Sequence, residues 1–323
     1  MKKVLVTFGP DEEDKYKLRD VFTGYEVVFD ESNNAATLNE EAKVDVEIII
    51  GNIAATKLNQ FPNLKWLQLI SAGTDTYTAD VLGNTILTNA SGTYGCAVPE
   101  YMVGAVFNIY KSFNLYRDLE RNGEWKDLGE ARCVAKATIL SLGLGDIGGN
   151  FSRSMKKLGC KVIGVRKDIS KCPDYVDEIV SIDNLDEVIG KADVVAISIP
   201  DNNETRGMFS RERISKMKDG SVLINVGRGS IVDTEALCDA LEEGKLSGAV
   251  LDVTDPEPLP SSHRLYKIPN AVVTPHISGR LRGMPETYRY FMEILLDNAK
   301  RYVEGRPLRN QVDLKTGYRV DTP

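Results

Sequence analysis

A glycine-rich hexapeptide, GLGDIG, occupies residues 143–148 and places Gly143, Gly145 and Gly148 between two kinds of apolar pattern. The run at 137–142 before it is continuous, as in a buried strand. After it, apolar residues recur with helical spacing, at Ile147, Phe151, Met155 and Leu158. A glycine turn between a strand and a helix offers backbone N–H groups and a helix dipole to a pyrophosphate. The hexapeptide therefore predicts a dinucleotide-binding turn.

Composition narrows the possible partners and the compartment. The chain has 323 residues, is 42% hydrophobic and carries a net charge of −7, which argues against nucleic acid or an anionic membrane as the main partner. Its five cysteines are scattered and form no CxxC pair, so they predict neither a disulfide framework nor a metal site. No apolar run approaches membrane-spanning length. We expect a cytoplasmic protein with a small-molecule ligand.

Strand-like and helix-like segments alternate along the whole chain, which predicts an α/β fold with parallel sheets. The glycine turn divides the strands into two groups, so we expect two doubly wound domains. Strands are predicted at 4–8, 26–29, 46–50, 66–70 and 86–88, and then at 161–165, 193–199, 222–226, 249–253 and 271–274. Long helices are predicted at 98–119 and 286–302.

Charged and polar side chains follow three of the later strands. Arg228 comes after the strand at 222–226, Asp252 and Glu257 lie at and beyond the end of the next strand, and His276 follows the last one. Ligands of open parallel sheets bind at the carboxyl ends of strands. Arginine would pair with a substrate carboxylate, and histidine oriented by a carboxylate would exchange a proton with a carbonyl oxygen. The pattern favours reduction of a 2-oxo acid with a nicotinamide cofactor.

The chain resembles the D-isomer-specific 2-hydroxyacid dehydrogenase family in five ordered motifs. These are SAGTD at 71–75, VPE at 98–100, NVGRGSIVD at 225–233, LDVTDPEPLP at 251–260 and TPH at 274–276. The resemblance implies a Rossmann cofactor domain, residues 99–287, inserted into a flavodoxin-like substrate domain made of residues 1–98 and 288–323. It also implies a homodimer.

The same resemblance implies roles for individual residues. Arg228, Glu257 and His276 would be the catalytic residues, and Arg228 would also bind the substrate together with the backbone amides of Ser71, Ala72 and Gly73. Asp252 would hold the nicotinamide side of the cofactor. The expected cofactor-binding residues are Gly143, Gly145, Asp146, Ile147, Gly148, Arg166, Lys167, Ile199, Pro200, Thr205, Val226, Gly227, Arg228, Asp252 and His276.

The residues after the second cofactor-domain strand bear on the choice of cofactor. Members that prefer NAD place an acid eighteen residues after the last glycine of the turn, whereas this chain has Arg166 there, followed by Lys167. Two cations would attract a 2′-phosphate, so NADP is the expected cofactor. The alternative is that Asp168 still reaches the ribose, in which case the cofactor is NAD. Two further departures are Asp146 within the glycine turn and Tyr101, where many relatives have histidine.

Other readings remain open from the sequence. A phosphite-type dehydrogenase would use the same three residues on a different substrate. A dinucleotide-sensing protein similar to the C-terminal-binding corepressors would bind partners and show negligible turnover. His263 reads as a solvated loop residue, and Cys96 as a small apolar filler rather than a nucleophile.

Overall fold

The computed structural model describes residues 1–30, 38–129, 131–314 and 319–320. The chain divides into two compact units, one formed by Met1–Tyr94 and Leu281–Pro323 and the other by Gly95–Arg280. The first unit is therefore made from both ends of the chain, and the second is a continuous insertion.

Strands and helices are numbered here in chain order over the described residues. The strands are β1 (Lys3–Val6), β2 (Glu26–Phe29), β3 (Val46–Ile50), β4 (Trp66–Gln68), β5 (Ile86–Thr88), β6 (Thr138–Leu142), β7 (Lys161–Arg166), β8 (Glu178–Ser181), β9 (Val194–Ile197), β10 (Ser221–Asn225), β11 (Leu246–Leu251) and β12 (Ala271–Val273). The helices are α1 (Glu12–Val21), α2 (Glu40–Val44), α3 (Ala79–Leu82), α4 (Ala97–Tyr110), α5 (Phe113–Arg121), α6 (Asp146–Lys157), α7 (Leu185–Val188), α8 (Arg211–Lys216), α9 (Thr234–Glu242) and α10 (Pro285–Val303).

The first unit is built on a five-stranded parallel sheet in the order β2-β1-β3-β4-β5. This is the flavodoxin-like order. All five residues of β3 are buried, as expected of a strand covered on both faces. Val4 and Val6 pack on the face that contacts Phe291 of α10, whereas Leu5 packs on the opposite face with Phe61. The alternation of neighbouring residues in β1 thus joins two apolar layers into one domain.

The second unit is built on a seven-stranded parallel sheet in the order β12-β11-β10-β9-β6-β7-β8. The strand order reverses between β6 and β9, which pair directly. This is a Rossmann arrangement, in which a ligand is bound at the carboxyl ends of the strands beside the reversal. Leu140, Val195 and Leu223 on the central strands are fully buried and belong to one continuous core.

The two predicted parallel-sheet domains are confirmed, but the sequence analysis was wrong about two elements. The helix expected at 98–119 is broken into α4 and α5, because Ser112 adopts a left-handed backbone conformation with φ of 55°. The strand β8 was not predicted, since its sequence EIVS contains only two apolar residues and all four of its residues are half-buried. Both elements lie in segments where the apolar periodicity of the sequence is weak.

None of the helices within the described ranges is long and apolar enough to cross a membrane. The same ranges contain no cluster of three or more His, Cys, Asp or Glu side chains able to hold a metal ion.

Candidate active site

The glycine turn lies between β6 and α6, at the point where the strand order reverses. Gly143 has a φ of 94°, a left-handed conformation that favours glycine. A Cβ atom on Gly148 would lie 2.0 Å from the carbonyl oxygen of Gly143, so only glycine lets the helix pack this closely against the turn. A Cβ on Gly145, in contrast, would meet no atom within 4 Å. The turn is therefore tightly packed between Gly143 and Gly148, whereas no atom packs closely against Gly145.

Helix α6 begins at Asp146, and its N-cap residue, Gly145, supplies no side-chain hydrogen bond to it. The first N–H groups of a helix lack intrahelical acceptors and carry the positive end of the helix dipole. An open glycine in front of these uncapped N–H groups matches what a pyrophosphate requires. Gly145, Ile147 and Gly148 thus have the geometry of a dinucleotide-binding turn. The Asp146 side chain faces Asn150, whose Nδ2 lies 2.8 Å from Asp146 O and 3.4 Å from its Oδ1.

The loop after β10 carries Arg228 and is fixed by a buried asparagine. Asn225 Oδ1 accepts a hydrogen bond from Gly227 N at 3.0 Å, while its Nδ2 donates to Arg228 O at 2.8 Å. A Cβ on Gly227 would lie 2.6 Å from the carbonyl oxygen of Ile199, so this loop also packs tightly against the end of β9. The Arg228 side chain is half-buried, and its Nη1 donates to Gly227 O at 2.7 Å. The backbone at Arg228 is thus held both by the Asn225 side chain and by the close packing of Gly227 against Ile199.

Gly229 joins this loop to the one that follows β11. A Cβ on Gly229 would lie 2.0 Å from the carbonyl carbon of Thr254, which is backbone and unable to move aside. The close approach explains why glycine is needed there. It also brings the backbone next to Arg228 into contact with the segment that leads to Glu257.

His276 and Glu257 form the closest ionisable pair of the predicted site. Nδ1 of the imidazole lies 2.6 Å from Glu257 Oε1, and both side chains are about half exposed, 50% and 42%. Because an ionised carboxylate only accepts, Nδ1 carries the proton in this bond and Nε2 is the nitrogen left to exchange a proton with another molecule. The pair has the arrangement of a general acid–base oriented by a carboxylate.

Asp252 is buried at the end of β11, with 1% of its surface exposed, and its carboxylate turns toward the segment that contains His276. Its Oδ1 accepts from Ile277 N at 2.8 Å and from Thr274 Oγ1 at 2.6 Å, and its Oδ2 accepts from Ser278 N at 2.8 Å. The contact with the nicotinamide that the family resemblance implies for Asp252 stays a prediction. The carboxylate already has three donors within the protein.

Tyr101, on α4, reaches the same cluster. Its hydroxyl lies 2.6 Å from Thr274 Oγ1. Burial is the main cause that raises the pKa of Tyr101 to about 12, and the nearby Asp252 charge adds to it. The phenol is therefore neutral and able to donate a hydrogen bond throughout the neutral range.

Arg166 ends β7, and the charges around it are exposed. Arg166 lies 3.9 Å from Asp168, while Lys167 pairs with Glu204. Asp168 Oδ1 accepts from Ser170 N at 2.9 Å; the hydrogen bonds from Ser170, with a smaller effect of Arg166 and Lys171, lower the pKa of that carboxyl. The carboxylate suggested as an alternative ribose ligand is thus engaged by its own loop.

The expected cofactor residues after β9 form a closed turn. Thr205 is fully buried and its Oγ1 donates to Pro200 O at 2.7 Å, while Asn202 N donates to Thr205 Oγ1 at 2.9 Å. Ile199 and Val226 are buried beside it at the ends of their strands. Ile199 lies against the glycine turn, since a Cβ on Gly143 would lie 2.9 Å from its Cγ2.

Ser71, Ala72 and Gly73 lie in the first unit, after β4. Every carbonyl oxygen of this loop has a donor: Ser71 O accepts from Ala90 N at 2.9 Å, Ala72 O from Asn89 Nδ2 at 2.8 Å and Gly73 O from Ser71 Oγ at 2.9 Å. Across the described ranges, the three N–H groups donate to no protein acceptor. Successive unused N–H groups on a fixed loop are suited to an anion.

Sequence reasoning did not single out the two asparagines that fix these loops, Asn225 and Asn89. Both are buried at the end of a strand, which was the available signal, since a buried amide requires partners. Which loop each amide holds depends on the folded backbone and has no local signature.

Comparison with known proteins agrees with this fold. The family model described as D-isomer specific 2-hydroxyacid dehydrogenase, NAD binding domain, matches residues 103–278. Glyoxylate reductase of Thermofilum pendens is 33% identical over 243 residues, which cover 72% of this chain and 70% of that protein.

Two solved structures are similar over nearly the whole chain. A D-isomer specific 2-hydroxyacid dehydrogenase from Xanthobacter autotrophicus Py2, in complex with NADPH and MES, has a TM-score of 0.83 at 26% identity and covers 98% of this chain and 99% of that one. The NADPH-dependent glyoxylate/hydroxypyruvate reductase of Sinorhizobium meliloti, in complex with NADP and sulfate, has a TM-score of 0.82 at 25% identity and covers 98% and 100%.

The resemblance drawn from the sequence motifs is therefore confirmed, together with the predicted enzyme class and nicotinamide cofactor. The protein transfers a hydride between NAD(P) and a 2-oxo or 2-hydroxy acid. By its glycine turn, its two parallel sheets and the extent of these matches, the chain belongs to the D-isomer specific 2-hydroxyacid dehydrogenase family.

Proposed function

We propose that this enzyme reduces a short 2-oxo acid of the glyoxylate and hydroxypyruvate type to the 2-hydroxy acid, with NADPH as the preferred reductant. The observation that carries the proposal is the 2.6 Å hydrogen bond between His276 Nδ1 and Glu257 Oε1, which leaves Nε2 as the proton-exchanging atom. The substrate type is suggested by relatives named glyoxylate reductase and hydroxypyruvate reductase.

His276 donates the proton in the proposed reduction. When bound, the reduced nicotinamide supplies the hydride that adds to the carbonyl carbon. His276 Nε2 gives its proton to the carbonyl oxygen as the C=O π bond opens, so that the product is a neutral hydroxyl. Glu257 keeps the imidazole in place through the 2.6 Å contact. In the reverse direction, His276 is the base.

Arg228 binds the substrate carboxylate and polarises the carbonyl oxygen. A guanidinium presents two parallel donors to a carboxylate and stays charged at any working pH. The doubly anchored backbone around Asn225 supports this role, since it fixes where the side chain starts. The N–H groups of Ser71, Ala72 and Gly73 are further proposed substrate ligands, with the first unit as the substrate domain and Gly95–Arg280 as the dinucleotide-binding domain.

NADPH preference is supported by the charges at the end of β7. Arg166 and Lys167 are cationic where a ribose-binding acid is expected in enzymes that use NAD. Asp168, the alternative ribose ligand, accepts a hydrogen bond from Ser170 N through Oδ1. Charge-assisted contacts to a 2′-phosphate contribute roughly 1.5 to 3 kcal/mol each. The remaining expected ligands lie at the glycine turn and at the ends of β9 to β12.

A homodimer in the cytoplasm is the proposed form of the enzyme. No residue of α5 is buried, and the apolar side chains of Phe113, Tyr116, Trp125 and Leu128 are exposed on that helix and the segment after it. A second copy would cover them, and light scattering of the purified chain should then give twice the chain mass. The cytoplasm is proposed because the five cysteines are scattered and form no CxxC pair.

Turnover with a panel of acids and both reduced cofactors tests the proposed reaction. Glyoxylate, hydroxypyruvate and pyruvate should each be reduced with oxidation of NADPH, and glyoxylate and hydroxypyruvate should be preferred over pyruvate. Phosphite with oxidised cofactor should give no turnover. Turnover of phosphite alone, or cofactor binding without turnover of any acid, would contradict the proposal.

A further inference from the structure

The segment that carries His276 is bound to a single residue by three consecutive N–H groups. His276 N donates to Asp252 O at 2.9 Å, Ile277 N donates to Asp252 Oδ1 at 2.8 Å, and Ser278 N donates to Asp252 Oδ2 at 2.8 Å. His276 itself has a φ of 52°, a left-handed conformation that costs energy for any residue with a Cβ. The position of the imidazole therefore depends on how firmly Asp252 holds this strained segment.

The Asp252 carboxylate makes no ion pair within the described ranges, although it is buried. Its charge is met by hydrogen-bond donors alone, namely two N–H groups and the hydroxyl of Thr274. Removing one of the few donors of a buried charge is expensive, so each donor matters to the carboxylate's orientation.

The donor and the acceptor can be assigned in both hydroxyl hydrogen bonds of this cluster. Thr274 has one hydroxyl proton, and it donates that proton to Asp252 Oδ1 at 2.6 Å, because an ionised carboxylate only accepts. Thr274 Oγ1 is then an acceptor toward Tyr101, whose hydroxyl at 2.6 Å must be the donor. The order of donation is Tyr101 to Thr274 to Asp252.

We propose that Tyr101 is a positioning residue for His276, acting through Thr274 and Asp252. The donated hydrogen bond from Tyr101 fixes the rotamer of Thr274 and polarises its hydroxyl, which strengthens the bond to Asp252. Asp252 then holds the amides of residues 276–278. Helix α4 in this way sets the position of the imidazole without contacting substrate, an inference that rests on the proposed role of His276 as proton donor.

The test uses Tyr101→Phe and Thr274→Val, each of which removes one hydroxyl and keeps the shape of the side chain. We expect Y101F to lower kcat about threefold to tenfold, with KM for the cofactor changed less than about twofold, since one hydrogen bond is lost away from the cofactor phosphates. T274V should lower kcat by about tenfold or more, because it removes a donor to the buried charge. Thr274→Ser retains the hydroxyl and should keep most of the wild-type kcat.

The double variant Y101F/T274V distinguishes a chain of donors from two separate structural effects. If Tyr101 acts through Thr274, the double variant should be no slower than T274V alone. Tyr110→Phe is the matched control, because it removes a buried phenol hydroxyl from the same helix and that hydroxyl makes no hydrogen bond to the described residues. It should leave kcat unchanged.

Wild-type kcat in Y101F, or multiplied losses in the double variant, would overturn the inference. A fall in Tm with unchanged kcat would also overturn it, because that result indicates packing alone. His276→Ala is measured in parallel: if it keeps turnover, the proposed function fails, whereas loss in H276A with full activity in Y101F refutes only the positioning role.

Discussion

The carboxyl ends of β7 and β12 belong to the same sheet but are built in opposite ways. After β12, three successive amides bond to the buried Asp252, and His276 is held with a left-handed backbone. After β7, the functional groups are long charged side chains, with Arg166 36% and Asp168 67% exposed. The segment after β12 is held by hydrogen bonds between its backbone N–H groups and a buried carboxylate, whereas the segment after β7 presents exposed charged side chains.

Under the proposed function, this difference separates the residue that transfers the proton from the residues that select the cofactor. Proton transfer requires an imidazole fixed within a few tenths of an ångström, and the three hydrogen bonds from residues 276–278 to Asp252 are suited to this requirement. Discrimination between two cofactors that differ by one phosphate requires only a change of local charge. Substitutions after β12 should therefore lower kcat strongly. Substitutions after β7 should change kcat little and should be able to reverse the preference between NADPH and NADH.

His276→Ala at the rigid end should have the largest effect. Loss of the proposed proton donor should lower kcat by about 10² to 10⁴-fold, with cofactor affinity nearly unchanged, because the imidazole acts on the carbonyl oxygen. Steady-state kinetics and fluorescence titration of NADPH measure the two quantities. His263→Ala is the control, since that imidazole accepts from Leu265 N and pairs with Glu235 outside the site. Near-normal turnover in H276A would remove the histidine from the mechanism.

Arg228→Lys tests the proposed substrate ligand, which follows β10 in the same sheet. Lysine keeps the charge but loses the planar pair of donors, so kcat/KM for the oxo acid should fall by about tenfold to a hundredfold, with a smaller change in NADPH affinity. Arg211→Lys, on a surface pair with Asp239, is the control and should have no effect. Equal activity of R228K and wild type would show that only the charge of residue 228 matters.

The sequence pointed to the residues that follow β10, β11 and β12, but it did not predict which hydrogen bonds hold them. Arg228, Glu257 and His276 follow β10, β11 and β12, and the strand pattern together with five motifs pointed to them in the sequence. The contact of Tyr101 with Thr274 joins residues 173 positions apart, and it depends on how α4 packs. No pattern within either segment predicts it.

Asp252 illustrates why partners are harder to predict than positions. The sequence places this residue at the end of β11, but two of its three donors, Ile277 N and Ser278 N, directly follow His276, whose φ is positive. A non-glycine residue in that conformation is uncommon, so sequence gives no reason to expect it. At the β7 end, similarly, Arg166 and Lys167 were expected from spacing, whereas the ion pair of Lys167 with Glu204 requires the folded loop after β9.

Arg166→Asp tests the exchangeable end. Wild type should prefer NADPH over NADH by at least about tenfold in kcat/KM at low salt, given charge-assisted contacts to the 2′-phosphate. The aspartate repels the phosphate and offers an acceptor to the ribose diol, so the order should reverse with little loss of kcat. Lys161→Asp makes the same charge change at the other end of β7 and should leave the preference unchanged. A wild type that favours NADH would refute the assigned cofactor.

Glu204→Gln should have the smallest effect and gives the finest test of the contrast between the two ends. Glu204 pairs with Lys167 and so competes with a 2′-phosphate for that cation. Both side chains are largely exposed, at 46% for Lys167 and 66% for Glu204, so the competition is screened and weak. Removing the carboxylate charge should raise the preference for NADPH by about twofold to threefold, and added salt should abolish the gain. Glu212→Gln, which breaks a similar exposed pair with Lys216, should change nothing. An NADPH preference that falls in E204Q would mean that Glu204 orients Lys167 toward the phosphate instead of competing with it, and the β7 end would then be a fixed network like the one after β12.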